Sequence, residues 1–308
     1  METYPSPTEG GPMKTQPIVA GVDASLESVA AAHAAWMLAE AAGGSCRLVH
    51  AANDVNAALA FAGTGVVTET LQLAELRRAR DEVAASLRGR VPASAVDAMV
   101  VSTGGTVDVL EAVVREIDAA LLVLGGKHHS RLGRWLGGST VQQVVRRLTV
   151  PLLVTAGEMR AHPRVMVAVD PSYAAVPTAQ QAVAFARLLG SPLRALHVID
   201  PPPAIAELPR DWSREIIERD VWPGIPLVEQ GKVMREGDPF ETIVAEAAAW
   251  RADIIVVGSH GKGWVDRLLI GSVTEKLLND LPCAVLVVPV PAPQRAETAP
   301  ARALATAG

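Results

Sequence analysis

The stretch at residues 256–288, VVGSHGKGWVDRLLIGSVTEKLLNDLPCAVLVV, decides how the whole chain is read. It predicts an apolar strand, a glycine-punctuated loop, a short helix opening at Gly271-Ser272, and a second apolar strand. Its spacing is G-x2-G-x9-G-S, with glycines at 258, 261 and 271. Gly258 and Gly261 carry no Cβ, so the backbone turns sharply there and approaches a ligand closely. A helix beginning at Gly271-Ser272 presents N–H groups and the positive end of its dipole to an anion. Together these parts describe a phosphate cradle at the carboxyl end of a strand. Read one by one, the same residues are turn glycines and an ordinary serine N-cap.

Outward from this stretch the chain repeats itself. PIVAGVDAS at 17–25 answers RVMVAVDPS at 164–172, each a strand ending in Asp with Ser two residues on. SCRLVHAAND at 45–54 answers SPLRALHVID at 191–200. Residues 103–126 answer 235–259, and GGSTVQQVVRRLTVPLLV at 137–154 answers IGSVTEKLLNDLPCAVLV at 270–287. Four blocks in the same order mark an internal duplication. Each copy alternates strands with helices, which gives a parallel sheet with right-handed crossovers. The apolar runs at 121–124 and 254–257 fit strands covered on both faces.

The first helix is expected over 25–42, with Leu26, Val29, Trp36 and Leu38 on its apolar stripe and Gly43-Gly44 as its stop. Its counterpart is expected over 174–189, stopped by Gly190. The copies differ most between their second and third strands. The first has room for a long helix at about 67–87, whereas Pro223 and Pro226 confine any helix of the second to a central portion. The expected units are a flexible tail at 1–15, domains at 16–157 and 162–290, and a second tail at 291–308.

Composition narrows the function classes. With 308 residues, 49% hydrophobic and 20% charged, the chain has the apolar content for two cores. A net charge of −5 argues against a general nucleic-acid binder. Cys46 and Cys283, one per half, make neither a disulfide framework nor a zinc site, and a cytoplasmic setting is expected. Residues 1–15 lack a signal-peptide core. The apolar run at 29–42 is broken by His33 and Glu40 and is too short to span a bilayer. No membrane or metal role is expected.

The glycine-serine spacing and both copies along most of their length resemble the universal stress protein family, as a tandem two-domain, ATP-binding member. The resemblance implies two doubly wound α/β domains, each a five-stranded parallel sheet in the order 3-2-1-4-5. Ligands of such sheets lie at the switch point between the first and fourth strands. The resemblance places Asp170 on the ribose and adenine side and the backbone of Val198 against adenine. Gly258, Gly261, Gly271, Ser272, Val273 and Thr274 then take the phosphates and ribose. In the first copy the matching residues are Asp23, Ala51, Gly125, Gly138, Ser139 and Thr140. There His128 replaces the second glycine, so weaker binding is expected.

The implied ligand is ATP, with or without Mg²⁺, and the implied role is nucleotide-dependent stress regulation with little or no turnover. No catalytic residue is assigned. A slow ATPase or other nucleotide-transforming enzyme, and an interaction protein with a vestigial cleft, stand as alternatives. A P-loop is excluded, because Val256 stands where its first glycine belongs and Gly263 follows Lys262. No G-x-S-x-G nucleophile elbow occurs. The last strands, 151–154 and 284–288, are apolar edges that need cover. They are expected to pair within the chain, with a homodimer as the possible further assembly.

Overall fold

Each apolar block of the duplicated sequence becomes a strand, and each alanine- or valine-rich run between blocks becomes a covering helix. The computed structural model describes residues 16–52, 69–126, 140–147, 149–200, 212–226, 231–259 and 270–290. The first copy runs β1 (Ile18–Gly21), α1 (Leu26–Ala41), β2 (Cys46–Ala52), α2 (Glu69–Leu87), α3 (Ala93–Asp97) and β3 (Val100–Thr103). It continues with α4 (Thr106–Glu116), β4 (Leu121–Gly125), α5 (Thr140–Arg147) and β5 (Leu152–Thr155). The second runs β6 (Val165–Val169), α6 (Ala175–Leu188), β7 (Leu193–Ile199), α7 (Trp212–Ile216) and β8 (Lys232–Glu236). It ends with α8 (Pro239–Trp250), β9 (Ile254–Gly258), α9 (Ser272–Asn279) and β10 (Ala284–Val288). The expected tails lie outside the described residues.

Local chemistry sets the helix ends. Ser25 caps α1 by accepting from Ser28 N at 3.3 Å. The helix stops where Gly43 turns left-handed (φ 64°) and Gly44 N donates to Ala39 O at 2.8 Å. Gly190 repeats the stop after α6 (φ 57°), with Ser191 N on Ala186 O at 2.8 Å. The duplication reaches even the costly conformations. Asp118 and Arg251, left-handed at φ 50° and 55°, follow equivalent helices in the two copies. Residue 26 departs from expectation: Leu26 is 83% exposed. It opens α1 on the solvent side, while Ala31, Ala32, Ala34, Ala35 and Leu38 are fully buried. Small side chains bring this helix close to the sheet. A Cβ on Gly125 would stand 2.5 Å from the carbonyl of Glu27, so that glycine is also required by packing.

All strands join one ten-stranded sheet in the order β3-β2-β1-β4-β5-β10-β9-β6-β7-β8. Each half therefore reads 3-2-1-4-5, as expected. Neighbours are parallel except at the centre, where β10 meets β5 antiparallel with Val285 opposite Val154, Leu286 opposite Leu153 and Val287 opposite Leu152. The two apolar edges thus cover each other, which removes the hazard of unpaired strands. One face of the sheet carries α1, α2, α3 and α6, and the other α4, α5, α8 and α9. Each face packs into a cluster running through both halves: Leu153 and Leu286 share one, Val154 and Val285 the other. Among the described residues no helix is long and apolar enough to cross a membrane.

Both cysteines are half-buried in the apolar clusters. Burial pushes the Cys46 and Cys283 thiols up to about 12, leaving almost no thiolate near neutral pH. At pH 8 the folded chain is expected to react slowly with a disulfide-exchange reagent, whereas the denatured chain releases two equivalents at once. Fast reaction of the folded protein would contradict this packing.

Candidate functional site

Because β5 and β10 run antiparallel, the carboxyl ends of the two sets of strands point to opposite edges of the sheet. Each half has its own switch point, between β1 and β4 in one and between β6 and β9 in the other. In the second half a cavity of about 230 Å³ opens there. Asp170, Val198, Gly258, Gly271, Ser272, Val273 and Thr274 all line it, arriving from four separate segments of chain. Leu196, Ile243, Val257 and Pro239 supply an apolar wall, and Asp200 a second carboxylate. Gly261 lies outside the described residues.

Each polar group has a local reason for its position. Asp170 follows β6, and its Oδ1 accepts from Ser172 Oγ at 2.5 Å, which orients the carboxylate. Burial, and next the Asp170 charge, push the neighbouring Tyr173 phenol upward. Gly271 is the N-cap of α9, and among the described residues no side chain caps that helix end. Gly271 N donates to Ser259 O at 2.9 Å and Glu275 N to Gly271 O at 2.8 Å. Ser272, Val273 and Thr274 form the first turn, where backbone N–H groups point beyond the helix.

The hydroxyl of Thr274 is engaged within the fold. Its Oγ1 donates to Gly258 O at 2.8 Å and is buried. A hydroxyl has one proton to give, so this one latches α9 to the end of β9 and leaves Ser272 as the exposed hydroxyl.

Behind the apolar wall, an ionic cluster fixes α8 to the sheet. Glu246, 7% exposed, accepts from Arg194 of β7 at 2.5 Å and from Arg235 of β8 at 3.0 Å. The guanidiniums of Arg164 and Arg194 lie 4.5 and 4.8 Å from the Trp250 ring centroid. Glu246 shares its helix with Pro239 and Ile243, so the cluster holds the wall that faces Val198.

In the first half Asp23 follows β1, Ala51 lies in β2, Gly125 ends β4 and Thr140 opens α5. These are the topological equivalents of Asp170, Val198, Gly258 and Val273. Asp23 Oδ1 accepts from Ser25 N at 2.9 Å and also bonds Ser25 Oγ, and Asp23 N donates to Ser28 Oγ at 2.6 Å. Asp23 is exposed, whereas Asp170 is half-buried. Gly138, Ser139 and the His128 position lie outside the described residues.

The serine two residues after each Asp thus orients the carboxylate in both copies. The repeated D-x-S was its visible signal. Asp200 reaches the cavity as the residue directly after β7, whereas Pro239 and Ile243 had no such signal, because only the packing of α8 beside β7 brings them there.

The sequence profile of the universal stress protein family matches residues 14–156 and again 162–289. The chain belongs to the universal stress protein family. It carries two such domains in tandem. A universal stress protein of Mycobacterium tuberculosis strain H37Rv is 29% identical over 303 residues, covering 90% of this chain and 98% of that one. One from Methanocaldococcus jannaschii is 28% identical over 144 residues, 42% of this chain and 82% of the relative. The crystal structure of a universal stress protein from Archaeoglobus fulgidus matches with a TM-score of 0.63 at 20% identity. That match covers 90% of this chain and 97% of the other, and the likeness is one of fold.

Proposed function

We propose that this tandem universal stress protein, with units at 16–157 and 162–290, binds ATP in its second cleft and more weakly in its first. Nucleotide occupancy, with little turnover, is its regulatory output. The observation that carries this reading is the single cavity lined by Asp170, Val198, Gly258 and the first turn of α9. Its chemistry fits an adenine nucleotide part by part. Leu196, Val198, Ile243 and Pro239 match the faces of a flat heteroaromatic base. The Asp170 carboxylate, oriented by Ser172, suits ribose hydroxyls, which donate. The uncapped start of α9 suits phosphate oxygens, which accept. Mg²⁺ would accompany the phosphates.

Calorimetric titration with ATP tests the reading. Saturable binding is expected, and Asp170→Ala weakens it about tenfold, the scale of one lost hydrogen bond to a charged group. Failure of the wild-type chain to take up ATP, or an unchanged affinity in Asp170→Ala, would overturn it. Sustained phosphate release over many turnovers would instead favour the enzyme.

A further inference from the structure

Resting on that nucleotide reading, we infer that Glu246 is a positioning residue for the base: it fixes α8 against β7 and so sets the gap that the base enters. Two stripes face each other there. Along β7, Arg194, Leu196 and Val198 fall on one face, since side chains of a strand alternate. Along α8, Pro239, Ile243, Glu246 and Trp250 follow at intervals of four, three and four, which is one face of a helix. The helix runs back along the strand. At the cavity end, Leu196 and Val198 stand with Pro239 and Ile243. At the other end, Arg194 Nη1 donates to Glu246 Oε1 at 2.5 Å, and its guanidinium lies 4.8 Å from the Trp250 ring centroid.

The clamp reaches the next strand as well. Arg235 Nε donates to Glu246 Oε2 at 3.0 Å, and Arg235 is the residue of β8 that pairs with Val198 in the sheet. Both oxygens of a carboxylate that is 7% exposed are thus held by neighbouring strands. Apolar contact has no preferred direction, so Ile243 and Ala247 by themselves would let the helix slide. Charge-assisted hydrogen bonds have a direction and a length, and two of them stop the slide.

The fold itself does not need this clamp. Asp118 and Arg251 follow equivalent helices, so Val113 stands in the place of Glu246 and Ile117 in that of Trp250. His50 and His197 mark the same point of β2 and β7, with Nδ1 on the carbonyls of Val22 and Val169, so Arg47 is the counterpart of Arg194. Arg47 Nη1 donates instead to Ala98 O at 3.0 Å, and Val113 is buried. The first copy therefore builds the same strand and helix on an apolar contact. A buried ion pair commonly adds no more stability than such a contact. What the second copy gains is a fixed register beside its cavity. The residues assigned to phosphate and ribose, Gly258, the first turn of α9 and Asp170, stand on other elements. Loosening α8 thus lowers affinity for adenine nucleotides by one factor, whatever their number of phosphates.

Calorimetric titration of the full chain with ATP and with ADP tests this. Glu246→Val, which installs the first copy's residue, is expected to weaken the tighter binding step about tenfold for both, the scale of one methylene's contact in an apolar pocket. The ratio of ATP to ADP affinity stays that of wild type, and the variant still melts cooperatively. Arg235→Met, at a half-exposed position, carries the same test with a smaller loss if Glu246→Val does not fold. Undiminished ATP affinity in the folded variant overturns the inference. So does a shifted ratio of ATP to ADP affinity, the mark of a disturbance that reaches the phosphates. Failure of the nucleotide reading looks different: the wild-type chain then takes up neither nucleotide.

Discussion

Ser272→Glu is expected to remove nucleotide from the second cleft while leaving the fold as stable as before, or slightly more so. Ser272 is the first residue of α9, exposed, and on the wall of the cavity. A glutamate there brings a negative charge to the positive end of a helix, which stabilises helices by about 0.3–1 kcal/mol. The same carboxylate occupies the place of an anion and repels the phosphates that would replace it. Losing a charge-assisted contact and adding this repulsion together cost about 3 kcal/mol of binding, or roughly a hundredfold in affinity. Titration beside thermal denaturation separates the two effects. Unchanged affinity would remove the start of α9 from the site. A collapse of the melting temperature would mean that Ser272 serves packing.

The second large effect is at the seam. Leu286 lies opposite Leu153 at the centre of the β5–β10 pairing and is 2% exposed. Leu286→Lys removes a core side chain and forces an ammonium between two halves that offer it only apolar neighbours such as Leu153. The cost is about 4 kcal/mol or more, out of the roughly 5–15 kcal/mol that usually holds a domain folded. For a chain of this size that lowers the melting temperature by roughly 6 °C or more. Leu286→Ile keeps the volume and is expected to cost less than about 1.5 kcal/mol. Unchanged melting of Leu286→Lys would show that β5 and β10 are not paired in solution.

What could be read from the sequence divides along physical lines. Features set within one segment were legible. The apolar runs gave their strands, Ser25 and Gly43 bounded α1, and the duplication gave each half the same order of elements. The edges at 151–154 and 284–288 could be matched because each copy ended in an apolar strand with no partner of its own. Contacts between distant segments were not legible. The burial pattern of α1 turns on its approach to Gly125, so Leu26 read as core and faces solvent. Thr274 read as a phosphate ligand because nothing local reveals that its proton goes to Gly258 O, sixteen residues earlier. Ile243 reaches the cavity only because α8 packs beside β7.

The most direct measurement of the central claim is the nucleotide content of protein purified without added ligand. Heat denaturation releases whatever is bound, and chromatography of the supernatant gives its identity and its molar ratio to chain. The account predicts ATP or ADP, with the second cleft supplying about one equivalent and the weaker first cleft the remainder up to two. A supernatant without nucleotide, from a chain that also fails to take up added ATP, would contradict it.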